Sequence, residues 1–593
     1  MDKRTLTALL IERLERYNIL ESIIYTKVGD LYTGANILEI LNKAFAVRNF
    51  LSKCNLEKND KVAIISENRL EWVITDFACI LSGIVTVPVY TSLSAEATRF
   101  ILADAGIKIC FVSTTFQLSK ILRVLPELPS LKKVIVFENK DNDSTHFVVK
   151  NFDELISNCQ AYDVSVLRKK ISHLDEHIKE DDIVTIIYTS GTTGVPKGVM
   201  LTHKNLYSNI RSCMNVLEIN HNDVFLSYLP YSHIYERTAG YYLAFFSGAK
   251  IYYAQSIDTI GKQMEEVSPT IIITVPRLLD RMYNRLFKTV EEMKQPLKKK
   301  IFIWALEIAR KSWNNKNTLQ WKVADKLVFK KIRKKTGGRI RFFVSGGGAL
   351  NANIGQFFEG VGLTTLEGYG LTEASPVVSV NRPSRNIYGT IGEPLDAVEV
   401  KLAKDGEILV KGDSVMKGYY NNEQETRQVI IDGWLHTGDI GEWVRDNHLK
   451  ITDRKKSLFK SSGGKYIAPA HIEDLILQIP YIDQVVVIGN QRMYVTALIV
   501  PDKEELVSLA NKLGITYENI SQLYSHPELL KAIEKDLNEV QKDLSSFEKV
   551  RKFSLLENPF TIEGGELTPT FKVKRKFIEE KYRDLIEKMY HKL

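Results

Sequence analysis

Six short apolar runs, each too hydrophobic to leave one face in water, constrain this chain more than any other feature. They are Lys61-Val-Ala-Ile-Ile, Ile84-Val-Thr-Val-Pro-Val, Ile107-Lys-Ile-Cys-Phe-Val, Lys133-Val-Ile-Val-Phe, Thr270-Ile-Ile-Ile-Thr-Val and Ile340-Arg-Phe-Phe-Val, and helical-looking stretches separate them. Strands of this kind are buried on both faces, which is the habit of parallel sheets covered by helices. The expectation is an α/β fold: a large N-terminal domain of mostly parallel sheets flanked by helices. After Trp434 the texture changes. Shorter strands at His448-Leu-Lys-Ile, Gln484-Val-Val-Val-Ile and Val495-Thr-Ala-Leu-Ile-Val, mixed with polar helices, predict a small α+β domain. A chain of 593 residues exceeds what one core usually serves. The boundary is placed after residue 452, giving a large domain over 1–452 and a C-terminal domain over 453–593.

The densest chemistry is Tyr188-Thr-Ser-Gly-Thr-Thr-Gly-Val-Pro-Lys-Gly-Val-Met-Leu-Thr-His203. It follows an apolar run and reads as a phosphate cradle. Gly191, Gly194 and Gly198 let backbone N–H groups approach an anion, Ser190, Thr192 and Thr193 add hydroxyls, and Lys197 adds charge. A Walker loop is excluded, because Lys197 stands between Pro196 and Gly198 and the chain returns to a strand-like run. A second constellation is Glu367-Gly-Tyr-Gly-Leu-Thr-Glu-Ala-Ser-Pro376, preceded by the turn Ser345-Gly-Gly-Gly-Ala349. Gly370 allows close backbone approach, Tyr369 offers a ring for a purine, and Glu373 suits a hard divalent cation. A third is Gly433-Trp-Leu-His-Thr-Gly-Asp439, followed by Asp453-Arg-Lys-Lys-Ser-Leu-Phe-Lys-Ser-Ser-Gly-Gly-Lys-Tyr-Ile-Ala-Pro469.

In this order these segments resemble the adenylate-forming, or AMP-binding, superfamily, and in particular its long-chain fatty acyl-CoA synthetase branch. The resemblance runs from about residue 30 to 580. It implies that ATP activates a long-chain fatty acid to acyl-AMP, that CoA then takes the acyl group, and that Mg²⁺ assists. Carried over by position, Thr189, Ser190, Gly191, Thr192, Thr193, Gly194 and Lys197 bind phosphate, while Tyr369, Gly370 and the turn Gly346, Gly347 and Gly348 border adenine. Thr372 bonds the α-phosphate or the substrate carboxylate, and Glu373 with Thr189 holds the metal. Asp439 accepts from a ribose diol and Arg454 donates to ribose or phosphate. Lys456 is the hinge of a mobile small domain, and Gly463 and Gly464 line the pantetheine tunnel. In Glu566-Leu-Thr-Pro-Thr-Phe-Lys-Val-Lys-Arg575 the catalytic lysine is Lys572, while Lys574, Arg575 and Lys576 read as a solvated basic tail. His233, in Leu229-Pro-Tyr-Ser-His-Ile-Tyr-Glu-Arg237, lines the acyl site; the Glu-Arg pair that ends this motif is typical of long-chain members.

Residues 287–341 form a basic helical insertion, a hallmark of that branch. Ile301, Trp304, Ala305 and Ile308 share one helical face there. That face either packs on its own domain, the favoured reading, or rests on an anionic membrane surface. Five scattered cysteines without Cys-x-x-Cys spacing argue for a reducing compartment and against a zinc site. The N-terminus has no long apolar segment, so a cytoplasmic protein is expected, with at most a peripheral contact on the inner face of a membrane. A net charge of +8 suits acidic ligands such as ATP and CoA, and no nucleic-acid partner is expected. The alternatives are a fatty acyl-AMP ligase that loads an acyl carrier protein, a luciferase-like oxygenase, and a catalytically silent acyl-nucleotide binder.

Overall fold

The computed structural model describes residues 3–17, 19–138, 149–157, 159–190, 196–455, 459–462, 466–568 and 573–590. All six apolar runs become strands, and each lies in a sheet whose neighbours on that stretch run parallel to it. The first sheet has eight strands, in the order Gly418–Tyr419, Pro196–Thr202, Ile183–Ser190, Val85–Val89, Lys61–Ile65, Ile109–Thr114, Lys133–Glu138 and Val149–Asn151. From Ile183–Ser190 onward its pairing is parallel, and the first two junctions are antiparallel. The second has nine strands: Glu393–Pro394, Val377–Val380, Thr365–Gly370, Phe342–Ser345, Ile271–Thr274, Val224–Ser227, Lys250–Tyr253, Ser22–Val28 and Leu31–Asn36. Its six middle strands are parallel.

The chain divides into two compact units. One comprises 1–401, 409–437 and 443–450, and the other 402–408, 438–442 and 451–593. Asp439, which the sequence groups with the large domain, therefore belongs to the smaller unit. The core of that unit is a three-stranded sheet of Ile482–Ile488, Val495–Pro501 and Val550–Leu555. Successive side chains point to opposite faces of a strand. Val485, Val487, Ala497 and Ile499 accordingly pack with Ile472, Leu506 and Ile533, while Val486, Ile488, Leu498 and Val500 pack with Ile578, Ile586 and Met589.

The insertion takes in the end of helix Pro276–Glu291 and then helices Pro296–Lys311 and Leu319–Ala324, the last continuing through a wide turn at Asp325–Phe329 into Lys330–Lys334. Ala305 and Ile308 are buried, with Ile301 and Trp304 packed beside them. The face read from sequence thus turns into the large unit's own core, as the favoured reading held, and is not available to a membrane. Gly360, on helix Ala352–Val361, makes this contact close: a Cβ there would stand 2.0 Å from the Ala309 carbonyl oxygen. Trp321 Nε1 donates to the Gly360 carbonyl at 2.7 Å. Among the described residues, no helix is long and apolar enough to cross a membrane.

Candidate active site

Three motif segments leave parallel strands of the nine-stranded sheet at their carboxyl ends, the edge where open α/β sheets bind ligands; two of these strands are adjacent, and Ile271–Thr274 separates them from the third. The His233 segment follows Val224–Ser227, the glycine turn follows Phe342–Ser345, and the Tyr369–Glu373 segment ends and follows Thr365–Gly370. Ser345 lies opposite Glu367 in register, and Glu367 accepts from the Leu350 amide at 3.0 Å, which fixes the glycine turn to its neighbour. Tyr235 joins the first two segments. Its hydroxyl donates to the Val344 carbonyl at 2.9 Å, and its ring lies where a Cβ on Gly346 would approach to 2.9 Å. Gly347 has a φ of +79°, a conformation that favours glycine. His233 Nδ1 accepts from the Tyr235 amide at 3.0 Å, so the ring's other nitrogen carries the proton when the imidazole is neutral.

The phosphate-cradle segment belongs to the eight-stranded sheet. Thr189 and Lys197 stand directly opposite each other across an antiparallel pair, as do Ser190 and Pro196. Gly191, Thr192, Thr193 and Gly194 lie outside the described residues. Gly198 meets a packing need as well: it sits opposite Tyr188, and a Cβ there would meet Ile186 Cγ2 at 2.7 Å. Its smallness is a packing requirement within the hairpin.

Residues 416–425 connect the two motifs. Gly418–Tyr419 pairs with the Pro196–Thr202 strand, and the Met416 amide donates to the Glu373 carbonyl at 2.8 Å. The Tyr419 hydroxyl then donates to Glu373 Oε1 at 2.8 Å, and Lys197 Nζ lies 5.5 Å from the Tyr419 ring centre and pairs with Glu425. Burial, with the Glu373 carboxylate adding to it, raises the Tyr419 phenol far above its ordinary range and keeps it a donor. The result is one line of groups: Glu373, Tyr419, Lys197 and Glu425, with Thr189 facing Lys197. Helix His203–Leu217, which starts at a Thr202/Asn205 capping box, locks the turn after Glu373. Asn209 Nδ2 donates to the Val377 carbonyl at 2.8 Å, and Asn205 Nδ2 to those of Asp413 and Val415 at 2.7 and 2.8 Å.

In the smaller unit Arg454 Nε donates to Asp439 Oδ1 at 2.7 Å, with Asp439 buried and Arg454 exposed. Glu407 positions this turn. It accepts from the Gly438 amide at 2.9 Å and from Lys455 Nζ at 2.9 Å, and the Lys455 amide donates back to the Gly438 carbonyl. Lys456, Gly463, Gly464 and Lys572 lie outside the described residues. Among the described residues that flank Lys572, Leu567 bridges Val573, and the Lys574 amide donates to the Glu566 carbonyl at 2.8 Å. Arg575 is not the solvated tail residue expected from sequence. It pairs with Glu473 at 2.7 Å and donates to the Val487 carbonyl. Tyr419, Glu425 and Glu407 escaped the sequence reading because each lies far along the chain from its partner in no recognisable motif.

Behind His233 lies a buried polar cluster. Arg237 donates to Asp76, to Thr185 Oγ1 at 2.8 Å, to Thr86 Oγ1 at 2.7 Å and to the Tyr242 hydroxyl at 3.1 Å. Since Thr86 and Thr185 belong to the eight-stranded sheet, this guanidinium ties the His233 segment to it.

Residues 35–420 match the AMP-binding enzyme family, and residues 457–593 match the AMP-binding enzyme C-terminal domain. The chain is 34% identical over 588 residues to long chain acyl-CoA synthetase 7, peroxisomal, of Arabidopsis thaliana, covering 94% of this chain and 82% of the relative. It is 33% identical over 584 residues to long-chain-fatty-acid--CoA ligase FadD15 of Mycobacterium bovis, covering 96% and 94%. In fold it is similar to the adenylation domain of a carboxylate reductase from Mycobacterium chelonae, with a TM-score of 0.77 at 23% identity over 99% of this chain and 91% of that one. The chain belongs to the AMP-binding enzyme family, among whose members its long-chain acyl-CoA synthetase relatives stand.

Proposed function

We propose that this protein is an AMP-forming long-chain-fatty-acid–CoA ligase. It activates a long-chain fatty acid with ATP to acyl-AMP and pyrophosphate, then transfers the acyl group to CoA with release of AMP. The observation that carries the reading is the line Glu373–Tyr419–Lys197 facing Thr189, which joins the two motifs that adenylation needs. Attack by a carboxylate on a polyphosphate brings like charges together, so positive charge and oriented donors must offset the repulsion. Lys197 and the 189–194 segment supply these to phosphate, and an incoming phosphate would exchange for Glu425 as the partner of Lys197. Mg²⁺ fits the donor set: Tyr419 engages one oxygen of Glu373, the carboxylate keeps a second, and Thr189 offers a hydroxyl. Bound there, the ion would neutralise phosphate charge.

Tyr369, Gly370 and Gly346 to Gly348 border adenine in this reading, Thr372 bonds the reacting groups, and His233 walls the carboxylate end of the acyl site. Asp439 and Arg454 take the ribose, Lys456 is the hinge between half-reactions, Lys572 contacts the α-phosphate, and Gly463 and Gly464 line the CoA path. The protein works from the cytoplasm with a peripheral contact at a membrane surface, where its fatty-acid substrate partitions. The test is product analysis with fatty acids from hexanoate to icosanoate, using free CoA, holo-acyl carrier protein or neither as acceptor. AMP and pyrophosphate, with the best kcat/KM on a long chain and CoA, are expected; ADP and phosphate would refute adenylation. Partial reactions then test the roles. Lys572→Ala is expected to slow acyl-AMP formation about 10²–10³-fold and to spare thioester formation from supplied acyl-AMP, with Gly464→Leu doing the reverse.

A further inference from the structure

We infer that the exposed face of the continuous helix over residues 319–334 is a docking surface for an anionic lipid bilayer. The inference deepens the membrane contact proposed above by assigning it to a particular helix. Leu319 is 78% exposed, and Val323 and Leu327 are each 42% exposed. They recur every four residues, so they form one apolar stripe. Beside it runs a second stripe at the same spacing: Lys322, Lys326, Lys330 and Lys334, all exposed. In an ideal helix of 3.6 residues per turn an i, i+4 stripe drifts around the axis. The wider turn at Asp325–Phe329 offsets that drift and keeps both stripes in line.

The opposite face of the same helix is fully used. Ala324, Val328, Phe329 and Ile332 lie in the core, and Arg333, paired with Asp325 at 2.7 Å, donates to the Val361 carbonyl at 2.7 Å. The helix is thus anchored by one side and presents the other. The four stripe lysines and Lys331 have no ion-pair partner among the described residues, in contrast to Lys335, which pairs with Glu265. Asp325 is the sole acid between residues 319 and 335, and Arg333 engages it. Solvation alone would account for the lysines but not for three apolar side chains held out in water beside them. An apolar ridge with an unneutralised cationic flank complements the chemistry of a bilayer with anionic headgroups: acyl chains accept the leucines and valine, and headgroup phosphates pair with the ammonium groups. Two further apolar side chains of the insertion, Leu297 at 72% and Ile303 at 42% exposure, extend the same chemistry onto helix Pro296–Lys311.

The test is co-sedimentation of the full chain with vesicles of pure phosphatidylcholine and with an equal mixture of phosphatidylcholine and phosphatidylglycerol. Two variants are compared with the wild type: Lys322→Gln/Lys326→Gln/Lys330→Gln/Lys334→Gln, and Leu319→Ser/Val323→Ser/Leu327→Ser. Gel filtration and melting temperature establish that each remains folded, as changes at exposed positions should leave it. The wild type is expected to bind the mixed vesicles and not the neutral ones. Each lysine neutralised is expected to weaken binding about fivefold, and the serine variant to weaken it at least about tenfold. No binding of the wild type to mixed vesicles overturns the membrane contact itself and leaves the ligase reading standing. Undiminished binding by both variants overturns the assignment to this helix. A loss confined to the lysine variant means that the apolar ridge does not enter the acyl region, which refutes docking by ridge and flank together. Self-association that the serine variant abolishes indicates a second copy of the chain and refutes bilayer docking.

Discussion

Replacing Glu236 by Gln should make the protein more stable, and increasingly so as pH rises. Glu236 is 1% exposed, its Oε1 accepts from Ser227 at 2.6 Å, and its Oε2 is buried with no partner among the described residues. Burial raises the carboxyl from 4.5 to about 8, while the Ser227 hydrogen bond pulls it down. The folded state therefore holds a proton that the unfolded state has lost between those two values. The stability tied to this group is complete below pH 4.5 and is lost as pH rises through 8. One pKa unit corresponds to about 1.4 kcal/mol, so the wild type should lose roughly 3–4 kcal/mol between pH 5 and pH 8 through this group. Glutamine is neutral throughout and keeps an oxygen for Ser227. Tyr231 and Tyr253 do not titrate in this window, because burial pushes their phenols up. The assay is urea unfolding of both proteins at several pH values, followed by tryptophan fluorescence, to which Trp72, 5.3 Å from the Tyr231 ring, contributes. The difference between the two proteins should widen by that amount, since other titrating groups cancel. Parallel curves within about 1 kcal/mol would refute the reasoning.

Arg237→Ala should destabilise the protein by about 3–5 kcal/mol, because it leaves Asp76 buried without its cation; urea midpoints check this, and a shift below about 1 kcal/mol contradicts it. Gly360→Ala should cost about 1–3 kcal/mol, since the added methyl meets a backbone carbonyl and not a flexible side chain. Hydrogen exchange should then rise in Pro296–Lys311 before it rises in the sheets.

What the sequence made legible follows from burial. A strand covered on both faces must be Val- and Ile-rich for its whole length, so Lys61–Ile65 and Ile271–Thr274 announce themselves. Leu31–Asn36, at the edge of the nine-stranded sheet, and Ser22–Val28 beside it are only partly buried and mixed in composition, and they give no such signal. The motif residues were legible because their chemistry is compressed into short stretches. Tyr419 was not: it lies 46 residues from Glu373, and only pairing of Gly418–Tyr419 with the cradle strand brings the two together. Arg575 looked like one more tail cation for the same reason, as Glu473 stands 102 residues away. In the insertion, the spacing of Ile301, Trp304, Ala305 and Ile308 marks a face that packs on its own domain, whereas no comparable reading singles out the helix that follows. Helix Pro296–Lys311 spent its apolar face on the core, while the next helix kept Leu319, Val323 and Leu327 outside.

The pairing of Thr189 with Lys197 makes the signature metrical as well as chemical. Side chains along a strand alternate, so a slip of one residue moves every group to the other side. Deleting a single residue on one arm of this hairpin would bring Gly198 to the place of Lys197 and drive a bulkier neighbour into the slot against Ile186 and Tyr188, where not even a methyl fits. Length is therefore as strictly prescribed as identity across this stretch. A substitution at one of its hydroxyls removes a single donor, whereas an insertion or deletion unmakes the arrangement of them all.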